Sequence, residues 1–398
     1  MKKSILIFGA GINQLELIKE GNLLGIETIV IDPSVNPPGK EFASHYYQVE
    51  GNDYDTTKAI ALKHDVNGIV TGQMEKPMRL MAKLAKEMGY IFHSPEVVET
   101  SLNKVLMKNA FNRFNIPCAK GVVFTNSEKI TADKLKEYNY PLIIKPADAF
   151  SSKGVMKAFS FDELKKYEEE TRSFSSTATI IVEEFLEGKE LSVESITYKG
   201  VTTVIQLTEK FITPYPNTVE LAHLQPARIS IEERDEIELL VKKAIRAIGI
   251  DNSASHAEVM ITDNGSKMIE IGARLGGDFI SSYLTKASTG VSMDKAAVQV
   301  ALGIAPTLLK TISKISLIKY FQLEQNKVVA DIDENFYGVE FPNLYFHELF
   351  INIGQKVKHI KSSSDRNGCI IINGSSYDDV FVKADQYINH LIGMVTVK

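Results

Sequence analysis

The first hundred residues alternate short β-type runs with helical patterns, and that alternation restricts the fold more than any other feature of the chain. Ser4 to Phe8 is an apolar run, a helical pattern follows near Ile12 to Leu24, and further β-type runs lie at Glu27 to Ile31 and Asn67 to Val70. Strands separated by helices cannot pair as tight hairpins, so a parallel sheet flanked by helices is expected. Between Glu75 and Met88, Met78, Met81, Leu84, Ala85 and Met88 recur at helical spacing. A methionine stripe of this kind reads as core packing. At 398 residues the chain exceeds what one core usually serves, so two or three domains are expected.

A new unit begins near Thr100, where Leu102, Val105, Leu106 and Phe114 mark one face of a helix that stops before Pro117. Strand-like segments follow at Gly121 to Phe124 and Pro141 to Lys145, with a helical stretch between them. Then come a loop from Ala147 to Gly154, a polar helix, a Ser/Thr-rich surface connection from Thr171 to Thr179, and a strand from Ile180 to Phe185. Leu191 to Tyr198 and Val201 to Leu207 read as a hairpin around Lys199-Gly200. Ser230 and Glu233 form a capping box ahead of the stripe Ile237, Leu240, Val241, Ala244 and Ile248. The last ninety residues read as a separate α+β lobe ending in a helix from about Tyr377.

Composition excludes several classes. Forty-five Lys and Arg against fifty Asp and Glu give a net charge of −5, which provides no global field for nucleic acid or an anionic membrane. Cys118 and Cys369 are too few for a disulfide framework, which points to a reducing cytoplasm. The apolar run after Met1-Lys2-Lys3 is interrupted at Asn13, Gln14 and Glu16 and reads as a buried strand, not a signal peptide. No stretch approaches 18 uninterrupted apolar residues, so no membrane span is expected.

The most informative stretch runs from His256 to Gly277, two β-type runs flanking Asp263-Asn264-Gly265. If these three residues form the loop, with Gly265 left-handed, Thr262 pairs with Ser266 and Glu258 falls opposite Glu270. His256, Met260, Met268 and Gly272 then share their face, with Arg274 in phase, while Ala257, Val259, Ile261, Ile269 and Ile271 point into a core. Opposed carboxylates repel, so a semi-buried pair calls for a cation, and two oxygen donors suit a hard ion such as Mg²⁺ or Mn²⁺. The alternative is a two-residue Asn264-Gly265 turn that sends the two glutamates to opposite faces.

Glu258, Glu270 and Arg274, in Glu-Ile-Gly-Ala-Arg-Leu-Gly-Gly, resemble the metal-binding end of the ATP-grasp superfamily. The resemblance extends backwards in order. Lys104 and Lys145 match its two phosphate-contacting lysines, Ser151-Ser152-Lys153-Gly154 its mobile phosphate loop, and Glu183-Glu184-Phe185-Leu186 the hinge strand that meets adenine. Glu190 matches the acid that binds ribose hydroxyls. The first hundred residues are similar to the domain that precedes such modules, in which Glu75 contributes to the acceptor pocket. If Glu75 instead faces solvent, it is an ordinary helix-start glutamate. His223, in Glu-Leu-Ala-His-Leu-Gln-Pro, resembles a substrate-site histidine of the L-amino-acid ligases, against the alternative of a surface loop residue. Asp365-Arg366-Asn367-Gly368 resembles their closing C-terminal domain, and Gly276 and Gly277 fall at the substrate site.

The resemblance implies an α/β, three-domain architecture. A Rossmann-like parallel sheet occupies 1–100, an ATP-grasp α+β domain 101–310 with a mobile lid at about 146–186, and a small α+β lobe 311–398. It implies a cytoplasmic, homodimeric ATP- and Mg²⁺-dependent ligase that joins a small-molecule carboxylate to an amine through an acyl phosphate, with Arg274 and His223 in catalytic roles. A bicarbonate-activating carboxylase-like enzyme and a non-catalytic ATP-binding module are the alternatives. Two departures stand out: Gly272 replaces the asparagine common after the second metal glutamate, and the phosphate loop has only Gly154. Gly9-Ala10-Gly11 with Asp32 suggests a dinucleotide site, but Gln14 replaces the third glycine that close helix packing requires.

Overall fold

The computed structural model describes residues 3–150, 152–214 and 218–398. The expected parallel sheet is formed by β1 (Ser4–Phe8), β2 (Glu27–Asp32), β3 (His45–Gln48) and β4 (Ile69–Thr71), in the order β3-β2-β1-β4. Helices α1 (Leu15–Leu23), α2 (Tyr54–Lys63) and α3 (Met78–Met88) accompany it. β4 starts later than the apolar run suggests because Asn67 is used as a clasp. Its side chain accepts from Ser4 N at 2.9 Å and its own N–H donates to Ser4 O at 3.0 Å. Met78, Met81, Leu84 and Ala85 are buried, as the stripe on α3 requires.

The Gly9-Ala10-Gly11 turn is closed from within. Asp32 accepts from Ala10 N at 2.9 Å and from Ser34 N at 2.8 Å. The buried Gln14 side chain lies against Gly9 and Gly72. The acid that would meet a ribose is engaged by the turn itself, which counts against dinucleotide binding.

The helix expected after Thr100 is two helices, α4 (Pro95–Leu102) and α5 (Lys104–Arg113). Asn103 breaks and restarts it, accepting from Val105 N at 2.9 Å and Leu106 N at 3.2 Å. The restart resets the phase, so Met107 and Phe111 are buried while Leu106 and Phe114 are 43% and 54% exposed.

A small antiparallel sheet of β5 (Gly121–Phe124), β6 (Leu142–Pro146), β7 (Met156–Ala158) and β8 (Ile180–Glu184), in the order β5-β8-β6-β7, packs with α6 (Ala132–Leu135) and α7 (Phe161–Ser173) around Phe124, Ile144, Leu164 and Val182. This subdomain begins at Gly121, ahead of the segment 146–186, and includes a strand, β7, that the sequence reading did not contain.

The main sheet has eight strands in the order β13-β12-β9-β10-β11-β14-β17-β16. They are β9 (Lys189–Tyr198), β10 (Val201–Ile212), β11 (Glu220–Gln225), β12 (Ser253–Thr262), β13 (Gly265–Gly272), β14 (Ile315–Phe321), β16 (Leu344–Leu349) and β17 (Gly368–Gly374). The hairpin turns at Lys199-Gly200, with Val201 opposite Tyr198. β15 (Val329–Ile332) and β18 (Val395–Val397) form a separate ribbon. α8 (Ile231–Ile248) carries both bonds of the capping box at Ser230 and Glu233 and buries its whole expected stripe.

The segment after residue 311 is not a self-contained sheet. β14 pairs with β11, placing Ile318 opposite His223, so the last strands extend the central sheet. That segment has its own core, where α11 (Tyr377–Gly393) contributes Val380, Ala384 and Leu391 against Leu317, Ile370 and Ile372. Beyond α9 (Thr285–Thr289), α10 (Met293–Ala301) crosses back to the N-terminal sheet, where Val298 and Ala301 share a core with Ile5, Ile7, Leu17 and Val30. Among the described residues no helix is long and apolar enough to cross a membrane.

Candidate active site

The hairpin β12-β13 brings Glu258 opposite Glu270, by a different route from the one expected. Its loop is two residues, Asp263-Asn264, with Thr262 opposite Gly265 and Ile261 opposite Ser266. Gly265 takes the left-handed φ of 91°. Continued unbroken, this register would set Glu258 against Ile269. The ladder instead steps from Val259 opposite Met268 to Glu258 opposite Glu270, leaving Ile269 as a bulge. One face is corrected as a result. Ile269, expected in the core, lines the cleft, while Met268, expected beside the glutamates, borders the cleft with them but is 1% exposed and packs in the core.

A cleft open to solvent lies between the small sheet and the main sheet. Its wall includes Lys104, Lys145, Ser152, Glu183, Glu184, Phe185, Leu186, Glu190, Glu258 and Glu270. The expected site residues from four separate stretches of chain therefore meet in one cavity. Ser151 lies outside the described residues. Lys153 and Gly154 border an adjoining hollow, shared with residues 361–363 of the C-terminal segment.

The cations beside the paired glutamates are lysines. Lys104 Nζ is 3.1 Å from Glu270 Oε2 and donates to Ala149 O at 2.8 Å. Lys210, on β10, is 2.8 Å from Glu258 and also bonded to Glu190, with Glu220 at 3.9 Å. Burial opposes the charge on Lys210, but Glu190, Glu258 and Glu220 outweigh it and hold its pKa well above the usual value. Glu258 is held well below the ordinary carboxylate range: burial works against ionisation and Lys210 overcomes it. Burial is also the main cause of the raised pKa of Glu190.

A second buried charge pair lies deeper. Lys145 on β6 and Lys108 on α5 converge on Glu183 of β8, Lys108 at 2.7 Å. Burial opposes the charge on Lys145, and Glu183 more than restores it. Glu183 pairs with Gly121 on one side and Ile143 on the other, so its backbone is committed to the sheet. The chain leaves the sheet after Glu184, and Phe185 carries Lys157 over its ring at 3.4 Å.

Arg274 is reached from the N-terminal domain. Its Nε donates to Glu75 Oε1 at 2.8 Å and Nη1 to Leu275 O at 2.8 Å. Burial disfavours the guanidinium charge and Glu75 outweighs it. Glu75 is thus turned toward the site, not toward solvent, and with Lys104, His256, Glu270 and Arg274 it lines a small pocket. His256 Nδ1 is 2.6 Å from Glu194, whose other oxygen accepts from Ser281 at 3.1 Å. Burial lowers the His256 pKa, but Glu194 outweighs it and pushes it up to about 9. A Cβ on Gly276 would lie 2.6 Å from Glu194 Oε2 and 2.7 Å from His256 Nδ1, so a larger residue there would have to push this bonded pair aside. Gly277 faces open space.

His223 is not a surface loop residue. It sits in β11, 1% exposed, with Nε2 3.1 Å from Asp278. β11 is buried on both faces, so the alternation that signals a strand is absent from its sequence. Asp278 in turn accepts two bonds from Arg366, at 2.9 and 2.7 Å, and Arg366 lies 3.7 Å over the Tyr320 ring. Asp278 and Phe279 both take left-handed backbone, with φ of 54° and 59°, a strain that persists only where surroundings impose it.

Lys210, Lys108, Glu194 and Asp278 were not singled out from sequence, whereas Arg366 belongs to the motif read there as part of a closing C-terminal domain. Lys210 had no signal in the hairpin pattern, because an unbroken register from the Lys199-Gly200 turn sets it opposite Lys189. The hairpin β9-β10 slips by one residue after Val204, so extending it places Glu209 opposite Leu191 and carries Lys210 toward Glu190.

Comparison with known proteins agrees with this geometry. Residues 138–282 match the ATP-grasp domain family. D-alanine-D-alanine ligase of Flavobacterium psychrophilum is 26% identical over 57% of this chain and 74% of its own length. Alanine-anticapsin ligase of Bacillus subtilis is 28% identical over 50% of this chain, which spans only 46% of that enzyme. The crystal structure of L-amino acid ligase from Bacillus licheniformis superposes with a TM-score of 0.83 at 20% identity, covering 100% of this chain and 98% of the other. The chain carries an ATP-grasp domain, set in a mixed α/β architecture whose N-terminal domain is a parallel sheet.

Proposed function

We propose that this protein is an ATP-dependent ligase that joins the carboxylate of one amino-acid-like small molecule to the amine of another, a C–N bond-forming enzyme of EC 6.3 type. The observation that carries the reading is the opposed pair Glu258 and Glu270 in a cleft where Lys104, Lys145 and Lys210 also converge. The residues present fit ATP and Mg²⁺. The cleft sets the apolar Ile212, Met260 and Leu186 in the same wall as the lysines, as a base beside phosphates requires, and the paired glutamates offer only oxygen donors.

In this reading Phe185 and Leu186 take the adenine beyond the end of β8, and Glu190 takes the ribose hydroxyls. Lys104, Lys145 and Lys210 neutralise the phosphates, with Lys153 added from the loop. Glu258 and Glu270 hold Mg²⁺, which when bound draws charge from the phosphate oxygens. The substrate carboxylate attacks the terminal phosphorus and the bond to ADP breaks, leaving an acyl phosphate. The amine attacks the acyl carbon, loses a proton, and phosphate departs. Arg274 stabilises negative charge on the transferring phosphoryl group and on the tetrahedral oxyanion. His223, screened by Asp278, acts as a positioning residue. The working form in this reading is a cytoplasmic homodimer.

A phosphate-release screen over pairs of amino acids with ATP and Mg²⁺, with products identified by mass spectrometry, tests the reading. Pair-dependent phosphate release with a dipeptide-type product is expected. Release that answers to bicarbonate and not to amino acids would overturn it in favour of a carboxylase-like enzyme. Tight ATP binding without ADP formation for any acceptor would overturn it in favour of a binding module.

A further inference from the structure

Glu27, His45 and His64 converge on the N-terminal sheet, on residues the ligase reading does not use. One ligating atom from each lies within 4.8 Å of the other two. His45 is on β3, the edge strand, and stands opposite Ile29 of β2, so Glu27 is one same-face step away on the adjacent strand. His64 closes α2, its N–H donating to Ile60 O at 3.1 Å and its carbonyl accepting from Ser4 Oγ at 3.3 Å.

The side chains are organised beyond a simple ion pair. His45 Nε2 is 2.7 Å from Glu27 Oε1. That bond accounts for two of the three residues, but not for the second imidazole, whose ring centroid is 4.5 Å from that of His45. Two protonated imidazoles so close would repel, whereas two neutral ones can share a cation. The His64 ring is also held, by Tyr47 OH at 2.7 Å from its Nε2, and Tyr47 is anchored by Lys63 at 3.0 Å. A ring nitrogen fixed by an oxygen partner is the arrangement that orients a metal-binding histidine.

We propose that Glu27, His45 and His64 form a binding site for a divalent transition ion of the zinc class. Two imidazole nitrogens and one carboxylate oxygen are a donor set that borderline ions take and that Mg²⁺ does not favour. Donors around tetrahedral zinc are about 3.3 Å apart, given bonds of about 2.0 Å. The ligating atoms lie within 4.8 Å of one another, so they must readjust by up to about 1.5 Å, and the solvent-facing side chains of His45 and Glu27 have the freedom to do so. A bound ion ties the edge strand β3 to β2 and to the end of α2.

The test is zinc titration by calorimetry of the full chain after chelator treatment, in a Glu258→Gln, Glu270→Gln background so that the cleft carboxylates cannot supply the signal. One zinc per chain is expected, with a zinc-dependent rise in Tm. His45→Ala and Glu27→Gln, both at solvent-facing positions, are expected to weaken binding at least about tenfold and to abolish the Tm rise, with circular dichroism unchanged. Absence of one-equivalent binding, or affinity unchanged by either substitution, would overturn the proposal.

Discussion

Glu258 stands opposite Glu270 only because Ile269 bulges out of the ladder between β12 and β13. The outer edge of β13 suggests what holds the bulge: Met268 N–H donates to Pro117 O at 2.8 Å, and Cys118 bridges to Met268. The inner neighbour runs without a slip, Glu258 opposite Ser192 and Val259 opposite Leu191. One strand edge is thus pinned by a distant segment while the other keeps its register, and the extra residue is absorbed at Ile269. Glu258→Gln or Glu270→Gln is expected to slow ADP formation about a hundredfold or more, with a raised Mg²⁺ requirement in steady-state assays.

Lys210 serves three carboxylates, so removing it leaves charges in a buried place. Lys210→Met is expected to destabilise the protein by about 3 to 5 kcal/mol at pH 8, measured by urea unfolding. The loss should shrink at pH 5, where the stranded carboxylates can take up protons. A pH-independent loss would mean that packing, not charge, dominates.

Arg274 is positioned by Glu75 from another domain, which separates its chemistry from nucleotide binding. Arg274→Ala is expected to lower turnover by about 3 kcal/mol in the barrier, over a hundredfold, while ATP affinity by calorimetry stays nearly unchanged. Unchanged turnover would remove Arg274 from the mechanism. Glu75→Gln should have a smaller effect of the same kind, since it loosens the guanidinium without removing it.

Asp294, on α10, is buried with no hydrogen bond to either carboxylate oxygen. Burial first, and then Glu16 and Glu20, push its pKa up to about 8. A raised acid pKa means the folded state keeps a proton that the unfolded chain releases near 3.8. Stability is therefore lost as pH rises from that value through about 8. Asp294→Asn is expected to stabilise the protein by at least about 1 kcal/mol at pH 8 and to change little at pH 4, read from thermal unfolding at both values.

The Asp278 and Arg366 pair joins the central sheet to the C-terminal segment. Arg366→Ala is expected to cost about 1 to 3 kcal/mol by removing two of the hydrogen bonds that the half-buried Asp278 accepts, with His223 left facing it, and Asp278→Ala in the same chain should recover part of that loss. Additive losses in denaturant unfolding would show that the two residues act independently.

Much of the local structure was legible because it depends on residues a few positions apart. The capping box at Ser230 and Glu233, the hairpin at Lys199-Gly200, the stripe on α3 and the alternation behind the parallel sheet are all of that kind. The restart at Asn103 was missed although its signal is equally local, because the apolar residues around it suggested one continuous face. The strand β11 that carries His223 was missed because burial on both faces erases the period of two.

The sequence by itself determined the alternation of strand and helix that begins the chain, the capping box at Ser230 and Glu233, and the order of chemically suited residues from Lys104 to Arg274, but not β3, α2 or α4. It did not determine which charges meet. Lys210 reaches Glu190 and Glu258 through a slip in one hairpin, Glu258 meets Glu270 through a bulge in another, and Asp278 meets Arg366 only because the C-terminal strands extend the central sheet. Each of these pairings depends on strand register between distant segments. A single-residue slip reverses the face of every side chain beyond it, so the site could be assembled only by tertiary structure.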